Sequence, residues 1–476
     1  MKGRKLIRMF TMVFVVIGLA CTCGGQQNTE SVAAVSLTVA STAVSVEGGT
    51  AVIGLRFDGF ENLDHLEAVR ITSAASRGVV KTPRSRLTEN FDYHYQVKDS
   101  DPATLTLEFT AYDKAGHASN THAVTIDNSW KARYSELAIS GLTCVSRVTG
   151  AEDNGHNGLP SVKYTLYNNT NSRFNVGGTD LGIVWQIEPG RFGMFFGDTF
   201  GSDFRPNYSA PGPNGGSWRS NVLLFSNDTD LSDGMVISDA YMEGKQAGQV
   251  CFSAHNTSGN GDYTSIPTGA VHANGCEYVH YMNIKTWDGW VTNYSSLYKS
   301  SDKGKRWDRV GTVSFAGESN FGQVGYFNHN GTVYMMGTKS GRDSYPCMAR
   351  FDEKDIEDTS AYEYWTGVGW VRGRESAASV LFSDKTGELS LAYLPEFEKW
   401  VVLYFNGPRY EISMRWADRP EGPWSSPIQV AAGRNWAQLY GSFIHPLSGD
   451  GKLYFIMSMW LPYNTYLMCI NVSGVN

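Results

Sequence analysis

Asp180 and Asp198 each stand inside a glycine frame, in GTDLG and FFGDTF. Paired carboxyl groups are the equipment of glycoside hydrolysis, where one protonates the leaving oxygen and the other acts as base or nucleophile. A single Gly-Asp-Thr would more often just cap a turn after a buried strand. The pair, its framing glycines and the repeat described below favour catalysis here.

The two acids belong to one predicted hairpin, residues 177–201, GGTDLGIVWQIEPGRFGMFFGDTFG. One apolar strand runs from Asp180 to Ile187 and the other from Phe192 through Phe196 to Asp198. Glu188-Pro189-Gly190 is the turn, Pro189 fixing φ and Gly190 accepting a positive φ. A three-residue loop sets Asp180 opposite Asp198, and a four-residue loop sets it opposite Thr199. Either register leaves both acids at the open end, about 5–8 Å apart. The aromatic run FGMFF before Asp198 offers the drier setting, which makes Asp198 the expected general acid and Asp180 the base or nucleophile. A carboxyl separation of about 6.5–9.5 Å means inversion and about 5–5.5 Å retention. The expectation is inversion.

The hairpin is one of five. PTGAVHANGCEYVHYMNIK, GQVGYFNHNGTVYMMGTK, ELSLAYLPEFEKWVVLYFN and LYGSFIHPLSGDGKLYFIMSMW also read strand, polar turn, strand. Each of the five precedes a third strand: SNVLLFSN, SSLYKSSD, CMARFD, ISMRWAD and YLMCINV. Radial repetition of short sheets is how a β-propeller protects its strand edges, so five blades are predicted, each with a further outer strand. A two-sheet jelly roll would not explain five similar hairpins. Ser300-Ser301-Asp302-Lys303-Gly304-Lys305-Arg306-Trp307 matches the Asp-box S-x-D-x-G-x-x-W, a structural turn of propellers.

A propeller site lies at one mouth of the central channel, reached from the starts of inner strands and their loops. Trp218 could stack on a sugar ring, while Arg219 and Asn221 could bind hydroxyls; the alternative is that this stretch only opens a buried strand. His272, Gln323, Trp436, Gln438 and Tyr440 fall at the starts of predicted inner strands and are candidate substrate contacts. Glu375 and Glu388 are candidates for a third acid. No HExxH, GxSxG, phosphate loop or GxGxxG unit occurs, and no arginine triad of the sialidase kind. No cofactor is expected. A structural Ca²⁺ could sit in the channel, although no ligand set argues for it.

The rest of the chain frames this domain. Its 476 residues are 41% hydrophobic and 13% aromatic, enough for two or three cores, and 51 glycines signal many turns. A net charge of −7, with no basic run beyond the N-terminus, argues against nucleic-acid partners. Residues 1–20 read as a secretory signal, a basic MKGRKLIR followed by an apolar MFTMVFVVIGLA. Cys21 after Leu19-Ala20 resembles a lipobox, predicting a lipid-anchored protein of a bacterial envelope, at the outer membrane or cell surface. Residues 21–30 are the polar tether. Residues 31–130 alternate apolar and polar in short runs, the pattern of a small immunoglobulin-like sandwich serving as a spacer. Of the cysteines after Cys23, only a pair such as Cys251–Cys276 is a disulfide candidate.

GTDLG, FFGDTF, WRSN, ELSLAYLPEFEKWVVLYF and MRWADRPEGPW resemble glycoside hydrolase family 183, five-bladed propeller endo-D-arabinanases formerly classed as a domain family of unknown function. The resemblance covers residues 136–476. It implies endo-hydrolysis of D-arabinofuranosyl linkages, with D-arabinan of the mycobacterial type as the polysaccharide partner and Asp180 and Asp198 as the catalytic pair. Two other readings stand beside it. One is a non-catalytic glycan-binding lipoprotein; the other is a propeller glycosidase for L-arabinan, fructan or sialosides.

Overall fold

The computed structural model describes residues 34–73, 76–98, 101–130, 132–150, 168–207 and 212–476. The signal segment and Cys21 lie outside the described residues.

Five antiparallel sheets follow one another along residues 181–475. Each of the five predicted hairpins forms the two inner strands of one sheet, and each predicted third strand pairs beside them. The first blade begins with Leu181–Glu188, Arg191–Phe196 and Val222–Ser226. Inner strands of the later blades are Thr264–Ala273, Gln323–His329, Leu389–Leu394 and Leu439–Ile444. Each inner strand touches those of the blades before and after it, and Leu439–Ile444 returns to Leu181–Glu188, which closes the ring. The protein is an all-β, five-bladed β-propeller.

The fifth blade is completed from the other end of the chain. Its outermost strand is Glu136–Arg147, which precedes the first blade in sequence and pairs with Asn464–Val475. Such a strand ties the two ends of the ring together with a ladder of backbone hydrogen bonds. Blades pack face to face through buried aromatic and aliphatic side chains. Trp185 of the first blade, for example, stacks on Phe195 and donates its indole N–H to Glu277 of the second at 2.8 Å.

The Asp-box forms the turn leading out of Val291–Ser300. Asp302 Oδ1 accepts from the backbone N–H groups of Lys305 and Arg306, and Ser300 Oγ from that of Gly304. Trp307 packs edge-on against Trp185 and Phe195. Ser300 is paired with Glu277 at the beginning of the second strand, so this turn lies at the end of the blade remote from the inner-strand starts.

Residues 36–127 form eight strands around a separate core that includes Ile53, Phe57, Leu66, Phe109 and Ile126. Alternation between buried and exposed residues is clear in Thr50–Asp58, as expected of a strand with one face on a core. The module is docked on the third blade. The backbone N–H of His94 donates to Val368 O at 2.6 Å, its ring packs edge-on against Trp365, and Arg374 donates to Leu87 O at 2.7 Å. Burial and two nearby arginines, Arg419 and Arg350, push the His94 imidazole down to about 3, so it is neutral in this joint.

Cys144, Cys251, Cys276, Cys347 and Cys469 are all free, so the Cys251–Cys276 pairing does not form. Among the described residues, no group of three or more His, Cys, Asp or Glu side chains is arranged to hold a metal ion.

Candidate active site

Asp180 and Asp198 line one cavity of about 540 Å³ at the end of the propeller where the inner strands start. The hairpin holds them there through an irregular ladder. Its turn is tighter than expected, with Glu188 paired to Arg191 across Pro189-Gly190 alone. Bulges then shift the register at Gln186/Glu188 and again at Leu181/Ile183. The second shift leaves Leu181 at φ 70 and Gly182 at φ 95, a left-handed step next to Asp180. For Leu181 that backbone is strained, and it is held by Ser458, whose hydroxyl accepts from Leu181 N at 2.7 Å. Beyond the shifts, Gly178 bridges to Phe200, and the Thr179 and Thr199 hydroxyls meet at 2.6 Å. Asp180 therefore lies against Gly197 and next to Asp198. A Cβ at Gly197 would stand 2.3 Å from Asp180 Oδ1, so any side chain there would displace the Asp180 carboxyl.

The two carboxyl groups have different surroundings. Asp180 Oδ2 accepts from the Tyr440 hydroxyl at 3.0 Å, while Oδ1 is buried without a hydrogen-bond partner. Removal from water, then the charge of Asp198, pushes its pKa up to about 8 against the pull of Tyr440. Asp198 Oδ1 accepts two hydrogen bonds, from Trp218 Nε1 at 2.7 Å and Thr264 Oγ1 at 2.6 Å. Burial raises Asp198 as well, but these two donors hold it to about 6. Asp180, with one donor against two, is the more strongly raised of the pair and the better proton holder. That order is the reverse of the one expected from the aromatic run before Asp198. The apolar FGMFF side chains serve the blade core, and donors from two other segments set the polarity at Asp198.

The remaining cavity wall comes from all five blades. Gln323, Gln438 and Tyr440 line it together with Thr268, Arg342 and Glu388. Arg342 reaches Glu388 with both Nε and Nη2, at 3.2 and 2.6 Å to Oε1, and its guanidinium lies 4.8–5.4 Å from the ring centres of Phe405, Tyr440 and Trp290. Glu388 is thus the third acid of the cavity, and it is neutralised by Arg342. Glu375 is not in the cavity and accepts instead from Ser319 at 2.7 Å. Trp287, Trp290, Tyr410, Trp460 and Tyr463 add an aromatic rim.

Several expected contacts do not reach this cavity. Trp218 is not a free stacking platform, since His255 stacks on it at 3.6 Å and Phe200 lies nearly parallel at 6.2 Å. Its N–H is spent on Asp198. Arg219 is buried and donates to the carbonyls of Ala247, Asn175 and Ser217, and its pKa is pushed down to about 10 by burial. Asn221 is buried and braces Cys251 O, Ser265 O and Val250 N. His272 lies near the far end of Thr264–Ala273, paired with Glu277 at 2.8 Å. Trp436 packs on the hydrophobic core beside the cavity-lining Gln438.

Residues 166–469 match the family described as Domain of unknown function (DUF4185). Two fungal proteins resemble part of the chain. Notoamide biosynthesis cluster protein J' of Aspergillus versicolor is 28% identical over 308 residues, covering 60% of this chain and 82% of that protein. Notoamide biosynthesis cluster protein J of Aspergillus sp. (strain MF297-2) is 28% identical over 311 residues, covering 60% and 81%. Among solved structures, the α-L-arabinofuranosidase PaAbf62A of Podospora anserina superposes with a TM-score of 0.38 at 11% identity, covering 70% of this chain and 97% of that one. The GH43_1 enzyme of Xanthomonas citri gives 0.38 at 10% identity, covering 62% and 87%. With the family matched over most of its length, ring and cavity included, the chain belongs to the DUF4185 family.

Proposed function

We propose that the protein is a glycoside hydrolase that cleaves D-arabinofuranosyl linkages within D-arabinan, with Asp180 as general acid and Asp198 as general base. The observation that carries this reading is two buried carboxyl groups in one cavity with unequal partners, Asp198 accepting from Trp218 and Thr264 and Asp180 from Tyr440 alone, which raises Asp180 more than Asp198. Paired carboxyl groups pushed apart in this way supply both halves of glycoside hydrolysis. The D-arabinan specificity rests on the resemblance of GTDLG, FFGDTF and WRSN to family 183.

In this mechanism Asp180 gives its proton to the glycosidic oxygen as the bond to the anomeric carbon breaks. Both donors to Asp198 fall on Oδ1, so Oδ2 is the oxygen that takes a proton from the attacking water. Water attack on the opposite face inverts the anomeric centre. Tyr440 orients Asp180 and stabilises the carboxylate left after proton transfer. Lipidation at Cys21 would hold the enzyme at the bacterial envelope, and mass spectrometry of the membrane-bound form would detect the acyl groups.

Incubation with purified D-arabinan, L-arabinan, fructan and a sialoside tests the reading. It expects reducing ends from D-arabinan alone, with the early product inverted by NMR. Binding without cleavage on every polymer would replace it with a glycan-binding role.

A further inference from the structure

The cavity does not end at its aromatic rim. Trp287, 37% exposed, lines the catalytic cavity on one side and a second groove of about 480 Å³ on the other. Asn256, Thr257, Ser258, Tyr263, Lys285 and Asp288 shape that groove. They come from two segments of the second blade's mouth, the loop before Thr264 and the turn after Thr286.

Both walls are held in place. Trp287 packs edge-on against Trp290 at 4.9 Å, and Trp290 N donates to Trp287 O at 3.1 Å. Trp290 is in turn covered by the Arg342 guanidinium. The opposite wall is tied by Asn256, which accepts from Ser258 N and Oγ at 2.8 and 2.7 Å and donates to Asn260 O at 3.2 Å. Tyr263 meets Trp218 edge-on at 5.3 Å, and Trp218 donates to Asp198. The groove is thereby built onto the scaffold that positions the base.

We propose that this groove is a distal subsite, binding the sugar residues of the substrate chain next to the unit in the catalytic cavity. The inference rests on the hydrolase reading above and adds to it where the chain runs. Its occupant is a neutral polyhydroxylated chain: a flat indole edge at the entrance suits the apolar face of a furanose ring, and amide, hydroxyl, ammonium and carboxylate groups beyond it suit hydroxyls. Trp287 lines both spaces, which favours more of the same polymer as the occupant.

The test compares wild type, Thr257→Trp and Lys285→Ala on D-arabinofuranosyl oligosaccharides of increasing length. Thr257 is exposed, so tryptophan there fills the groove without entering a core. The readout is the ratio of kcat/KM on a long chain to that on the shortest chain cleaved, which cancels any loss of folded enzyme. A filled groove lowers this ratio by about tenfold, the equivalent of one lost subsite of about 1.4 kcal/mol. Lys285→Ala lowers it in the same direction by less. Ratios equal to wild type in both variants would overturn the groove while leaving the hydrolase standing. No cleavage of any oligosaccharide by wild type would overturn both.

Discussion

Tyr440 donates its hydroxyl to Asp180 Oδ2 at 3.0 Å across 260 residues of sequence, so the last blade of the ring completes a site begun by the first. The bond stabilises the ionised carboxyl, because an acceptor that is charged gains more from a donor than a neutral one. Tyr440→Phe removes that help and raises the Asp180 pKa further. The alkaline fall in kcat/KM then moves to higher pH while kcat drops, an outcome read from the pH–rate profile of the variant.

For wild type the same profile is a bell. Activity falls below about pH 6 as Asp198 takes up a proton, and above about pH 8 as Asp180 loses one. The two acids interact, so the limbs report the pair. A rate that is flat from pH 5 to 9 would contradict the assignment.

Trp218 and Thr264 act chiefly on the acid limb. Each donates to Asp198 Oδ1 and favours its charged form. Trp218→Phe keeps the ring between His255 and Phe200 but removes the donor, and Thr264→Val does the same with little change of shape. Each variant moves the acid limb up by about one pH unit, since a hydrogen bond to a charged group contributes about 1.5–3 kcal/mol. The alkaline limb moves less, through the coupling of the two acids.

Asp180 also gives stability a pH dependence. Its folded pKa lies above the ordinary carboxyl value, so the native state holds its proton more tightly than the unfolded chain does. Stability from this group is present at low pH and lost as pH rises towards about 8. Asn at this position never carries the buried charge. Asp180→Asn therefore melts above wild type at pH 8, with the gap closing towards pH 4, in calorimetric scans across that range.

Asp302 belongs to the other end of the blade and tests stability without chemistry. Its hydrogen bond with Arg306, followed by backbone and Ser300 donors, pulls its pKa down to about 2. Asp302→Ala frees those donors and lowers Tm, by about 1–2 °C if about 1 kcal/mol is lost from a domain of this size. The kcat of the folded fraction is unchanged.

Much of this arrangement can be read along the chain, and the limits have physical causes. The five hairpins and their third strands are visible because apolar strands alternate with glycine and asparagine turns. Asp180, Gln323, Gln438 and Tyr440 reach the cavity because each stands at the start of an inner strand, within a residue or two. His272 does not, because it lies eight residues beyond Thr264, the true start of its strand, and Thr264 and Thr268 take the place expected of it. Arg342, Trp287, Trp290, Tyr410 and Tyr463 come from loops between second and third strands, whose reach depends on turn geometry that local sequence leaves open. The closing strand Glu136–Arg147 pairs with a partner more than three hundred residues away, and no local pattern announces that. The relative strength of the two acids is not legible locally for a related reason: it depends on donors from Trp218, Thr264 and Tyr440 as well as on the residues flanking each aspartate.

Reducing-end release from D-arabinan by wild type, Asp180→Asn and Asp198→Asn is the most direct test of the central claim. The account predicts short oligosaccharides from wild type and a loss of roughly 10²–10⁴-fold in each folded variant, the worth of a positioned acid or base. Activity retained near the wild-type level in either variant would contradict it.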